Sequence, residues 1–251
     1  MPIEVGQHNL EIHANAERWR RKPLLQEIYR DFYLEIAKEL RRDLPGETVE
    51  IGSGIGNLKN VVPEALATDL FPNPWLDRIE NAYALSFADG SVANLILFDV
   101  WHHLQYPGTA LAEFHRVLAP GGRLIIFDPA MGILGRIAYG LFHHEPLGLR
   151  EEICWWAPAG FFPADMTYYA AQGNAQRVFF SNEWASRLGD WRVVKRTLLA
   201  ALPYVASGGF SGPQLYPRNL LPVLRALDRG ANYFPALFAT RLLVALEKNK
   251  S

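Results

Sequence analysis

Two near-continuous apolar runs, "SVANLILFDV" (91–100) and "RLIIFDP" (123–129), constrain this chain more than any other feature. A strand with water on one face alternates apolar and polar residues. A strand without that alternation is covered on both faces, as in a parallel sheet between layers of helices. Between the two runs, "TALAEFHRVL" places Leu111, Phe114 and Leu118 on one helical face and stops at Pro120-Gly121-Gly122. Strand, helix and strand in that order form a βαβ unit.

The remaining sequence extends this pattern. "TVEIG" is a short strand running into the turn "GSGIG", and "ALATDL" is another, ended by the proline-rich "FPNPW". Leu25, Ile28, Phe32, Ile36 and Leu40 recur at three- and four-residue spacing and predict one helix over 16–43, closed by Pro45-Gly46. "NLKNVVPEA" has room for two helical turns before Pro63 interrupts. Beyond Pro129 the periodicity weakens, and 131–190 is dense in aromatics, proline and glycine. This stretch reads as an insertion or lid over the sheet edge. "WRVVKRTLLAAL" and "FATRLLVALEK" predict two late strands, with a helix near "YPRNLLPVLRALDR" between them, as an antiparallel edge on a mainly parallel sheet. The expected organisation is a single domain: 1–45 an N-terminal helical cap, 46–130 a cofactor-binding core, 131–190 a substrate-side insertion, and 191–251 the C-terminal strands and helix.

Composition excludes several classes. At 251 residues the chain can bury a sizeable core, and a formal net charge of −1 gives no global field for nucleic acid. One cysteine rules out an internal disulfide framework. No Cys/His cluster has zinc-ligand spacing, so no metal is expected. There is no signal-peptide h-region and no run long enough to span a membrane, so the expectation is a cytoplasmic protein acting on a small molecule.

The glycine turn "VEIGSGIGNL" decides the function class. A dinucleotide fingerprint needs G-x-G-x-x-G, and Gly52-x-Gly54-x-Gly56 is one residue short. A phosphate loop needs Gly-Lys-Ser/Thr, and Asn57-Leu58-Lys59 does not supply it. A tight structural turn stays open on the turn alone. Four stretches in order narrow the choice: Glu50-x-Gly52-x-Gly54-x-Gly56, Asp69 closing a strand, "NAYALSFADGSVANLILF", and "HRVLAPGGRLIIFDP". Together with "WHHL" they resemble the class I S-adenosylmethionine-dependent methyltransferases, within the type 11 group that includes ubiquinone- and menaquinone-biosynthesis enzymes. The resemblance covers about 46–130.

It implies an α/β, Rossmann-like, mainly parallel sheet with helices on both faces, and a transferase with S-adenosyl-L-methionine as cofactor. The implied cofactor residues are Glu50 toward the amino group, Gly52, Ser53, Gly54 and Gly56 in the turn, and Asp69 on the ribose hydroxyls. Leu70 would lie on the adenine face, Asn81 and Ala82 at its edge, and Asp99 at the methyl end. Asn81 stands where the family usually has an acid; its carbonyl still accepts one hydrogen bond. Asp89 in "FADGS" reads as a turn residue.

Catalytic candidates are fewer. His143 and His144, followed by Glu145, could supply a base, as could Asp99. His102 and His103 read as packing and loop support. Trp155, Trp156, Phe161, Phe162, Tyr168 and Tyr169 could wall an apolar pocket, which together with the N-terminal helix favours a hydrophobic acceptor. The alternative is a methyltransferase-like binding protein or subunit without transfer activity. A nucleotide-dependent oxidoreductase is disfavoured by the glycine spacing. The acceptor atom and the oligomeric state are not legible.

Overall fold

The structure, a computed structural model, describes residues 5–166 and 168–249. Two helices come first, α1 (Val5–Arg21) and α2 (Pro23–Ala37). The single helix expected over 16–43 is therefore broken. Pro23 has no N–H to continue a helix and drives the residue before it out of the helical region: Lys22 sits at φ −117°, ψ 75°. Lys22 Nζ then donates to the carbonyls of Gly209 and Gly212, both at 2.7 Å, fixing the break against the C-terminal part of the chain.

Seven strands form one sheet: β1 (Glu47–Ile51), β2 (Leu66–Asp69), β3 (Arg78–Ile79), β4 (Val92–Phe98), β5 (Leu118–Pro129), β6 (Trp191–Leu199) and β7 (Arg241–Lys248). Their spatial order is β3-β2-β1-β4-β5-β7-β6. The first five run parallel, and β7 pairs antiparallel with both β5 and β6. This is the mainly parallel sheet with an antiparallel edge expected from the sequence. The chain moves outward in one direction from β1 to β3 and in the other from β4 to β5. The order thus reverses between β1 and β4, and in open α/β sheets ligands bind beyond the carboxyl ends of the strands at such a point.

Between β4 and β5 lies α3 (Pro107–Val117). After β5 come α4 (Ile133–Phe142) and α5 (Asn174–Phe180); α6 (Leu202–Ala206), α7 (Leu221–Ala231) and α8 (Pro235–Phe238) fill the connection from β6 to β7. Side chains alternate between two buried clusters. Leu95, Leu97, Leu124 and Ile126 face Trp101, Phe114 of α3 and Phe179 of α5. Ile96, Phe98, Ile125 and Phe127 face Leu25, Ile28, Phe32 and Ile36 of α2. The segment 131–190 contributes Ile153, Trp155, Val178 and Leu188 to the first cluster, so it shares the core of the sheet. At the outer edge, β6 carries exposed Arg192 and half-buried Lys195, charges that oppose pairing with another sheet.

A second correction concerns "NLKNVVPEA". Only a single 3-10 turn forms, Asn57–Asn60, because Gly56 enters it at φ +66° and Pro63 follows within a few residues. Among the described residues no helix is long and apolar enough to cross a membrane.

Candidate active site

Three strand ends converge at the point where the strand order reverses. Gly52 leaves β1, Asp69 closes β2 and Asp99 follows β4. All three turn glycines are left-handed, Gly52 at φ +70°, Gly54 at +55° and Gly56 at +66°, a conformation that costs other residues about 1–2 kcal/mol. A Cβ on Gly52 would also stand 2.4 Å from Val100 Cγ2. Gly52→Ala is therefore expected to lose about 2–4 kcal/mol, the backbone cost plus overpacking. Gly90, equally left-handed at +66° but with nothing within 4 Å of its Cβ position, provides the control, and Gly90→Ala should lose only the backbone share. Urea unfolding of the two variants checks this; equal losses would dismiss the Val100 contact.

The turn is held from beneath. Ser53 N–H donates to Thr68 O at 2.8 Å, Thr68 N–H donates to Ser53 Oγ at 2.9 Å, and Thr68 Oγ1 donates to Glu50 O at 2.8 Å. Asp69 accepts from Gly54 N–H (2.9 Å) through Oδ2 and from Leu70 N–H (2.7 Å) through Oδ1. Asn73 Nδ2 donates to Gly54 O, and Ile12 Cδ1 of α1 stands 3.6 Å from where a Cβ on Gly54 would lie.

Glu50 is buried, and its Oε2 has no hydrogen-bond partner. Burial, reinforced by the nearby Asp69 carboxylate, raises its pKa to about 8. An ordinary structural glutamate would be paired at this depth, so the orphaned oxygen points to a cationic or donor group of a ligand.

Asn81 is engaged on both sides of its amide. Its Nδ2 donates to Pro163 O at 2.9 Å and its Oδ1 accepts from Tyr83 N–H at 3.0 Å, which ties the 131–190 segment to the end of the sheet. Ala82 packs against the first buried cluster, and Leu70 is partly exposed beside the turn. Asp89 accepts from Arg116 Nη1 at 2.6 Å, in keeping with its reading as a structural turn residue.

Among the described residues Asp99 is one of two non-glycine residues with positive φ, at +56°. Its carboxylate pairs with Arg241, which opens β7 and is only 1% exposed. The Arg241 guanidinium lies 4.5 Å from the centre of the Tyr204 ring and near the Tyr139 and Phe127 rings. Asp99 thus has a buried cation as its fixed partner. Arg241 was missed from the sequence because nothing in "FATRLLVALEK" separates a buried arginine from one at a strand end.

The histidines arrange differently from the sequence expectation. His102, read as packing, is buried; its Nδ1 lies 3.0 Å from Asp128 Oδ1 and its Nε2 3.4 Å from Glu145 Oε2. Burial alone would lower this imidazole, but the two carboxylates raise it to about 10. His103 donates from Nδ1 to Tyr169 O at 2.9 Å and turns Nε2 to Glu145 Oε1 at 3.6 Å; burial and the adjoining His102 push it down to about 4. Glu145 also receives Tyr168 Oη–H at 2.7 Å and Gln172 Nε2–H, and despite burial its carboxyl is held well below the usual range. His143 reaches Glu145 by accepting its N–H at 3.3 Å, whereas His144 is exposed and stacks on His143. Asp128, closing the run "RLIIFDP", could have been singled out as a third strand-end acid.

The aromatic wall is only partly formed. Trp155 stacks on Trp184 in the core, and Phe161 contacts Tyr83 and Tyr106 edge-on. Trp156, Phe162 and Tyr168 are largely exposed. A separate cavity of about 460 Å³ lies between α2 and α7, lined by Glu27, Arg218 and Arg225; it contains none of the residues above.

Residues 49–126, just under a third of the chain, match the family model described as a methyltransferase domain. No curated protein sequence matches the chain. Among solved structures, one called a methyltransferase in complex with the Haloferax volcanii Trm112 methyltransferase activator aligns at 14% identity. It covers 86% of this chain and 88% of its own, with a TM-score of 0.50. A SAM-dependent methyltransferase of Thermotoga maritima, a possible histamine N-methyltransferase, aligns at 16% identity over 95% and 99%, TM-score 0.49. Geranyl diphosphate C-methyltransferase of Streptomyces coelicolor aligns at 11% over 88% and 80%, TM-score 0.49. At these identities the likeness concerns the fold. The family match reaches the methyltransferase domain and goes no further toward a quinone-biosynthesis subgroup.

Proposed function

We propose that this chain, an S-adenosylmethionine-dependent methyltransferase by its domain at 49–126 and its class I fold, transfers a methyl group to a small, apolar acceptor. The observation that carries the donor assignment is the orphaned Oε2 of Glu50 beneath three left-handed glycines. A buried carboxyl oxygen without a partner suits the ammonium of the cofactor's amino acid moiety, which pairs with the group as it ionises.

In this reading Glu50 holds that ammonium, and Gly52, Ser53, Gly54 and Gly56 bring backbone close to it. Asp69 accepts the ribose hydroxyls, Leu70 packs on the adenine, and Asn81 and Ala82 meet its edge. Of the described residues, those before 46 cover the site, 46–130 bind the donor, those between 131 and 190 stand on the acceptor side, and those from 191 onward complete the sheet. When bound, S-adenosylmethionine supplies an electrophilic methyl on a sulfonium. The chain's contribution is to hold the acceptor in line and exclude water, and positioning of this kind can supply much of the acceleration. Asp99, locked by Arg241, lines the methyl end as a fixed dipole. His143 and His144 lie beyond it, and neither is needed for an acceptor that is already nucleophilic.

The apolar acceptor is supported by α4. Its inner face carries Tyr139, whose hydroxyl donates to Thr240 O at 2.9 Å beside Arg241, and its outer face exposes Ile133, Ile137, Leu141 and Phe142. An exposed apolar stripe of that kind on a helix of the 131–190 segment suits a ligand that prefers an apolar surface.

Calorimetry with S-adenosylmethionine and S-adenosylhomocysteine is expected to give sub-millimolar binding of both. Asp69→Ala should weaken each about 10–100-fold, the cost of losing hydrogen bonds to a charged group, with circular dichroism unchanged. If neither compound binds the intact chain, the donor assignment falls. Binding without incorporation of labelled methyl into the apolar fraction of a cell extract would favour the binding-protein alternative.

A further inference from the structure

The His102–His103–Glu145 cluster is built like a set of metal ligands rather than a hydrogen-bonded support. Both imidazoles are held by their Nδ1 atoms, His102 against the Asp128 carboxylate at 3.0 Å and His103 against the Tyr169 carbonyl at 2.9 Å. Both turn Nε2 toward one carboxylate. An oxygen acceptor on the far nitrogen is what fixes the tautomer and orientation of metal-binding histidines. The carboxylate is itself steadied by Tyr168 and Gln172, as ligating carboxylates are.

The spacings agree with this reading. Two ligands at about 2.0–2.1 Å from a tetrahedral ion stand about 3.3–3.4 Å apart. His102 Nε2 and His103 Nε2 lie 3.4 and 3.6 Å from the Glu145 oxygens, and the three ligand atoms fall within 4.8 Å of one another. These separations are long for charge-assisted hydrogen bonds, which run at about 2.7–2.9 Å. Behind His102, Asp128 is fully buried and keeps its Oδ2 unpartnered.

We propose that His102 Nε2, His103 Nε2 and Glu145 bind one divalent d-block ion of the zinc type, with Asp128 and Tyr169 as the outer acceptors. Imidazole and carboxylate ligands suit zinc, and three protein ligands leave a fourth position open. His143 stands 3.7 Å from Glu145 but already accepts a backbone N–H through that same Nδ1, and it lies outside the set. Motif spacing in the sequence did not reveal the site because its ligands come from two distant segments, the turn after β4 and the stretch after α4.

The assignment does not depend on the methyl donor. The full chain, stripped with a chelator and titrated with Zn²⁺ by calorimetry, is expected to bind one ion per chain with sub-micromolar affinity. Co²⁺ in its place should give visible d–d absorption. Glu145→Gln and His103→Ala should each weaken Zn²⁺ at least about 100-fold while S-adenosylhomocysteine binding persists, and His144→Ala should leave Zn²⁺ affinity unchanged. Absence of Zn²⁺ binding by a chain that still binds S-adenosylhomocysteine overturns the site. Zn²⁺ binding that survives both ligand substitutions overturns it as well.

Discussion

Replacing Glu50 with glutamine is expected to weaken S-adenosylmethionine binding by about 30–100-fold and, at pH 8, to raise the melting temperature of the ligand-free protein. The two effects have one origin. Burial lifts the Glu50 carboxyl from its ordinary value to about 8. Between about pH 4.5 and 8 the folded chain therefore keeps a proton that the unfolded chain has released, and folding stability falls as pH rises through that window. At 1.36 kcal/mol per pH unit the loss reaches a ceiling of about 5 kcal/mol by pH 8. Glutamine fills the same space and carries no such proton, so its melting curve should be flatter over this range and higher at its alkaline end.

The cofactor's ammonium reverses the balance by pairing with the ionised carboxylate. Hydrogen bonds to charged groups are worth about 1.5–3 kcal/mol, which sets the fold-change in affinity. Wild-type affinity should climb as pH rises from 6 to 7.5, and the variant's should stay level. Calorimetry across that range and thermal melts at pH 6 and 8 provide the check. A variant that melts lower at pH 8, or binds the donor as well as the parent, would show that Glu50 serves only to brace the turn.

Arg241→Ala is expected to cost about 3–5 kcal/mol of folding stability, the usual penalty for removing one partner of a buried ion pair. Arg241 is buried among Phe127, Tyr139 and Tyr204, and its guanidinium balances Asp99. Truncation leaves the Asp99 carboxylate without its counter-charge on a residue already held at φ +56°. The double variant Asp99→Asn, Arg241→Met should recover most of the loss, since a neutral, shape-matched pair removes the desolvation problem. Urea unfolding of the two proteins tests the coupling. If the double variant is as unstable as Arg241→Ala, the arginine acts through its packing alone.

The parts of this molecule readable in advance are those decided locally. The uninterrupted apolar runs of β4 and β5, the α3 face between them, and the glycines after β1 each follow from neighbouring residues, and the mainly parallel character of the sheet follows from their alternation. The break between α1 and α2 was also written in the sequence, at Pro23, but the regular spacing from Leu25 to Leu40 masked it. What could not be read is whatever depends on chain segments meeting. Glu145 gains its meaning only when the stretch after α4 folds back on His102 and His103. Arg241 looks like an ordinary strand residue until β7 inserts beside β5 and brings it to Asp99. Asn81 fits an adenine-edge position by motif, yet its amide is occupied by Pro163 and Tyr83, a link between segments that no local pattern specifies.

The interruption at Lys22 separates two jobs that a continuous helix would have joined. Of the side chains described on α1, only Ile12 and Ala16 are buried, whereas α2 buries seven residues of its own. Lifting α1 from the glycine turn exposes Ile12 and Ala16, about 2–4 kcal/mol of apolar burial, and uncovers the half-buried Trp19 that packs on Tyr29 and Phe210. Lifting α2 would expose a whole face of the sheet. Substitutions along α1 can therefore change how readily the turn is reached without changing whether the protein folds.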